Sequence, residues 1–195
     1  MKTLTNNLLK PATRIAFFTL LIATASCAQK KEAGTATATK SDVKAPEVDI
    51  HTAVVTDNFA ALKQHIAAGT DINQKDPFGG SSPLISAAVF GKTEAAKILI
   101  DAGANINFTN NDGSTALLSS AFFCRPEIVK LLLDKHADKT IKNKYGQTAY
   151  ETVVGPYDQV KSVYETMQQM LGPMGLKLDY AYVEKTRPVI AAMLK

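Results

Sequence analysis

Cysteine is scarce in this chain of 195 residues, which holds Cys27 and Cys124 and no other thiol. Two cysteines so placed argue against a disulfide framework. Acidic side chains are missing before residue 27, where Lys2, Lys10 and Arg14 carry all the side-chain charge. With those set aside, the formal +4 falls to 19 basic against 18 acidic residues. A further +2 sits in 29–46 and leaves the rest of the chain at −1, so nucleic-acid binding through bulk charge is disfavoured. A Gly-rich phosphate loop, a nucleophile elbow and a carboxylate pair in a recognisable frame are all lacking. His51, His65 and His136 have no partners at ligand spacing. The expectation is therefore no enzyme, no cofactor and no metal site.

What is present begins with an export signal. After the basic start comes the apolar run 15–25, whose eleven residues are too few to span a bilayer core of about 30 Å. Thr24-Ala25-Ser26-Cys27 follows and resembles a bacterial lipoprotein signal, although Thr24 stands where Leu is usual. The resemblance implies lipidation of Cys27, a signal peptide over 1–26 and a membrane anchor of more than one acyl chain. An ordinary secretory signal cut after Ala28 is the alternative; either places the mature protein outside the cytoplasm, in the bacterial cell envelope, facing the periplasm or on the surface. The stretch 29–46 has no large apolar side chain except Val43, so 27–46 is expected to be a disordered tether.

From residue 47 the chain repeats itself. The segment 81–114 lies over 115–147 at an offset of 33, with Leu84 on Leu117, Gly80 on Gly113 and Gly146, Lys97 on Lys130 and Ala104 on Ala137. Apolar positions at helical spacing predict paired helices over 83–90 and 93–101, then over 116–123 and 126–135. The preceding unit is degenerate, with helices expected at 49–54, capped by Asp49, and at 58–68. Small residues Ala53, Ala87 and Ser120 share one register, which permits close approach of successive first helices.

Ser82-Pro83-Leu84 with Ala87-Ala88, the run from Glu127 to Leu133, and Gly103-Ala104-Asn105-Ile106-Asn107 carry a resemblance to ankyrin repeats. The resemblance implies an all-α solenoid of helix-turn-helix units with hairpin-like fingers over 47–195. About five units are expected, at 48–80, 81–114, 115–147, 148–178 and 179–195, degenerate caps included. It implies a protein-binding module whose contacts come from first-helix ends and finger tips. Carried over by register, these are Val55, Thr56, Val89, Phe90, Phe122 and Phe123 on the helices, and Phe78, Asn111, Asp112, Lys144 and Tyr145 on the tips. Phe90, Phe122 and Phe123 either form an exposed apolar stripe or stack on one another under cover.

In the last third, 148–153 starts a fourth unit, 158–171 is expected to supply its second helix, and Gly172-Pro173-Met174-Gly175 ends that helix. Arg187-Pro188-Val189-Ile190 echoes Arg125-Pro126-Glu127-Ile128 and suggests a partial fifth unit that caps the array. The functional expectation is an exported, membrane-anchored, monomeric module that binds a protein or peptide in the envelope, with an inhibitor or immunity protein as the narrower version. A rival reading makes Cys124 a sensor thiol in a redox-protective protein, because Arg125 and a helix start stand beside it; the other role for Cys124 is packing.

Overall fold

A computed structural model describes residues 43–195. The signal expected over 1–26, the lipidated Cys27 and all but the end of the tether lie outside the described residues. Among the described residues every regular element is helical: α1 (Ile50–Val55), α2 (Phe59–Ala67), α3 (Pro83–Phe90), α4 (Thr93–Asp101), α5 (Ala116–Phe122), α6 (Pro126–Asp134), α7 (Glu151–Val154), α8 (Lys161–Leu171) and α9 (Tyr180–Leu194). Short 3-10 turns at Tyr157–Gln159 and Gly172–Met174 flank α8.

Local chemistry sets where the helices begin. Asp49, Asn58, Ser82, Thr115 and Asp179 each accept a hydrogen bond from a backbone N–H in the first turn of the helix that follows. Pro83 and Pro126 occupy first-turn positions, where a missing N–H costs nothing. The turn between first and second helices needs one residue at positive φ, filled by Asp57, Gly91 and Cys124 in successive units.

Tertiary packing makes two layers. Helices α1, α3, α5 and α7 lie side by side, and α2, α4, α6 and α9 flank them. A first helix is enclosed by neighbours on both sides and by its own second helix, so α3 buries six consecutive residues from Pro83 to Ala88. Ala53, Ala87 and Ser120 are fully buried at one register. Leu84 and Leu117 are each 1% exposed, so the offset of equivalent sequence positions is also an offset of equivalent environments. At the N-terminal end, His65 replaces the Leu99 and Leu132 of later units and hydrogen-bonds the Val48 carbonyl through Nε2 at 2.8 Å. Gln64 donates to the Lys44 carbonyl, and residues 44–48 thereby cover the outer side of the first unit.

The fourth unit departs from expectation. Its second-helix place, against α6 and α7, is taken by α9 and not by 158–171. Ile190, Ala191 and Leu194 are buried there as Ile128, Val129 and Leu132 are in α6. Arg187 stands 62 residues after Arg125 where the period is 33, so 29 additional residues separate the two helices of this unit. That insertion contains α8, which buries only Tyr164. Pro188, the counterpart of the first-turn Pro126, sits inside α9 on an exposed side, where the carbonyl it leaves without a helical donor, that of exposed Glu184, is open to water.

Candidate partner-binding surface

The fingers are built by one repeated device. Asp76 accepts from the backbone N–H groups of Phe78, Gly79 and Ser81, and Asn110 accepts from Asp112 and Ser114. Asn143 does the same for Tyr145 and Gln147. Burial works to raise the Asp76 carboxyl, but the donations from Gly79, Phe78 and Ser81 outweigh it and hold the group below the usual carboxylate range. Adjacent tips are tied by Asn111 N–H to the Gly79 carbonyl at 2.9 Å and Lys144 N–H to the Asp112 carbonyl at 2.8 Å. Gly80 has φ +67 and leaves room for the Asn111 side chain, which a Cβ there would meet at 2.4 Å. On this stiff row Phe78 is 84% exposed and Tyr145 76% exposed, with Asn111, Asp112 and Lys144 open to solvent between and beside them.

The first-helix ends form a separate region. Finger tips precede the N-termini of first helices, whereas Val55, Phe90 and Phe122 lie at or near their C-termini, about 12 Å away along an eight-residue helix. The residues expected to form one partner site therefore divide into two sets. Thr56 is exposed and Val55, Val89 and Phe90 are half-buried. Phe123, expected as an anchor, is 6% exposed and meets the Phe122 ring edge-on at 5.0 Å. Phe122 in turn lies under Tyr164 of α8, the two rings stacked with centroids 4.6 Å apart. The Tyr164 hydroxyl donates to the Phe122 carbonyl at 2.7 Å and accepts from Arg187 Nη1 at 2.9 Å. At the far end of the same insertion, a Cβ on Gly175 would stand 3.9 Å from Val55 Cγ1. The insertion thus covers first-helix ends that the sequence reading left open, and Tyr164 and Arg187 are the residues that fix it. Neither was singled out from sequence, although the Arg187 echo of Arg125 was the available signal.

Cys124 offers no reactive thiol. It is fully buried at φ +55, and its Sγ donates to the Val183 carbonyl at 3.6 Å. Burial pushes the thiol up to about 11, against the opposite pull of Arg187 and Arg125. The sensor reading needs an exposed, easily ionised cysteine, and the structure supplies the reverse. In the folded protein at pH 8, iodoacetamide is expected to modify Cys124 at least a hundredfold more slowly than in denaturant, as mass-spectrometric time courses would show. The histidines are likewise engaged locally: His51 bonds Ser86 and the Gln74 carbonyl, and His65 bonds Thr70 and Val48. His136 supplies the positive φ at the stop of α6, where the earlier units have Gly69 and Gly103.

A solenoid of two-helix bricks with tied fingers is a protein-binding class of scaffold, and the comparisons give its kind. Residues 50–143 match the family model for ankyrin repeats in three copies. Residues 50–143 carry ankyrin repeats, and the fold is that of an ankyrin-repeat solenoid. Among solved structures, it is similar to the ankyrin repeat domain of Bcl-3, described as a unique member of the IkappaB protein family, at 28% identity and a TM-score of 0.52. That match covers 60% of this chain and 50% of the other, so the chain spans half the length of that structure's chain. No curated protein matches. Ankyrin repeats define a protein–protein interaction module, and such arrays are in general binding scaffolds without catalytic activity.

Proposed function

We propose that the finger row centred on Phe78, Asn111 and Tyr145 binds a protein or peptide partner in the bacterial cell envelope. The reading rests on one observation: two large aromatic side chains stand almost wholly in solvent on a backbone that neighbouring fingers hold stiff. Exposed aromatics cost little conformational entropy to bury and are the residue types that dominate interface energetics. The first-helix set contributes less to this reading, since Phe122 and Phe123 are covered from within the chain. Export and a lipid anchor on Cys27 belong to the same proposal and rest on the sequence of 1–27. The anchored protein acts as a monomer; an inhibitor or immunity role is the narrower form, and fold analogy is its sole support.

Crosslinking in intact cells, followed by identification of the attached protein, tests the surface. Replacing Phe78 and Tyr145 together by Ala is expected to reduce the yield of the parent's crosslinked partner at least tenfold, with an unchanged melting temperature. Equal yield from the double variant would discard the finger row. Separately, Cys27→Ser is expected to abolish incorporation of labelled palmitate and release the protein from the membrane fraction.

A further inference from the structure

We infer that Met167, Met170 and Met174 form a binding site for a soft monovalent metal ion, Cu(I) in chemical class. The chain has five methionines, and three of them fall within eight consecutive residues. Met167 and Met170, three residues apart, are neighbours on α8, and Met174 closes the 3-10 turn that follows it directly, within about 12 Å of Met167 at the usual rises. A methionine side chain has three rotatable bonds, so thioethers from all three positions can turn toward one ion above Met170.

Exposure points the same way. Met170 is 63% exposed and Met174 47% exposed, while Met167 is half-buried. On α8 the one buried contact is Tyr164, which faces the solenoid. The methionines are therefore not what holds this helix to the protein. Leucine would serve as well as methionine in an apolar contact and favours helix at least equally. What methionine adds is a soft, polarisable sulfur donor, and thioethers select Cu(I) over the harder divalent ions.

Met174 lies just past the end of α8, in a turn whose continuation is tied back to that helix. The Gln168 amide donates to the Leu176 carbonyl and accepts from the Leu178 N–H, both at 2.8 Å, and so staples the returning strand of chain to α8. Gly172 allows the close approach, since a Cβ there would meet Gln168 Nε2 at 3.0 Å. Gly175, at φ +100, turns the chain back immediately after Met174. The 3-10 turn Gly172–Met174 is thereby closed around a fixed side chain rather than left as a free loop end. Positioning of this kind lowers the ordering cost of bringing the third donor to the ion.

The test uses the full chain labelled with 13C at the methionine methyl groups, titrated anaerobically with Cu(I) kept reduced by ascorbate. The methyl signals of Met167, Met170 and Met174 are expected to shift together and saturate at one equivalent, while that of Met193, part-buried in α9, stays in place. The conservative double variant Met170→Leu with Met174→Leu should bind at least tenfold more weakly with an unchanged circular dichroism spectrum. Gln168→Ala should weaken binding severalfold, although all three sulfurs remain. Copper drawn to a thiol instead would leave the three methyl signals unmoved, and that result overturns the assignment. So does a double variant that titrates like the parent.

Discussion

Arg187→Ala is expected to unfold the fourth brick while the first three stay folded. Arg187 is 2% exposed and, among the described residues, has no carboxylate within salt-bridge distance. Its guanidinium instead donates through Nη1 to the Thr152 carbonyl and the Tyr164 hydroxyl, and through Nη2 to the Gly155 carbonyl. Two of these acceptors belong to the C-terminal end of α7, a helix of only four residues whose last carbonyls have few partners within it. The cation therefore serves as the C-terminal cap of α7 and meets the negative end of that helix. It also joins α9, α7 and α8 at one point. Truncation leaves the buried Thr152 carbonyl and Tyr164 hydroxyl without this donor at about 1–3 kcal/mol each, so a loss of about 2–6 kcal/mol is expected. Because a solenoid couples each unit only to its neighbours, the damage should stay local. Hydrogen exchange should accelerate in α7, α8 and α9 and remain slow in α3 and α4. Arg187→Lys should recover little, because a single ammonium cannot match the planar fork that reaches three acceptors. Uniform acceleration across all helices, or none, would show that Arg187 does not hold this unit.

The same unit marks the boundary of what the sequence makes legible. The expected helices at 83–90 and 93–101 coincide with α3 and α4, because a repeated period supplies two independent readings of every position. Asp49 was readable as a cap because capping is a contact between residues close in the chain. For 158–171 the pattern gave a helix and the structure has one, but periodicity says which face is apolar and not what that face meets. Only Tyr164 is buried on α8, too little for the second helix of a brick, whose counterparts α4 and α6 bury four and three residues. The correct partner was encoded at a distance: Ile190, Ala191 and Leu194 repeat the buried positions of α6 once 29 residues are allowed between. Phe123 failed as an exposed anchor for a related reason. Its register is that of a variable surface position, but it is 6% exposed and packs edge-on against its neighbour Phe122, which is itself stacked on Tyr164 of the insertion. Arg187 was the hardest to read, since arginine is seldom buried without a partner of opposite charge.

Tyr164→Ala should release the insertion and destabilise the fold by about 3–5 kcal/mol, the usual cost of emptying a buried aromatic site. Its ring is wholly buried between Phe122 at 4.6 Å and Tyr157 at 6.1 Å, and its hydroxyl links Phe122 to Arg187. Tyr164→Phe keeps the ring stacks and loses only the hydroxyl, so a smaller cost of about 1–3 kcal/mol is expected. That ordering separates packing from hydrogen bonding. If Phe were as damaging as Ala, the hydroxyl and not the stack would be the principal attachment. Titration gives an independent check on the same group. Burial pushes the Tyr164 phenol from 10.0 up to about 12, and the Cys124 thiol from 9.0 up to about 11. In both cases the folded state holds the neutral form, and the unfolded state gives up its proton more readily. The stabilisation from these groups is therefore fully present below pH 9 and is lost as pH rises through about 12. Melting temperatures measured from pH 8 upward should fall from about pH 9 in the parent. In Cys124→Ala only the phenol remains, so this part of the decline should begin about one unit higher, and Tyr164→Phe should retain just the earlier, thiol-linked portion. A parent whose melting temperature stayed level from pH 9 to 11 would show that neither group is held neutral by the fold.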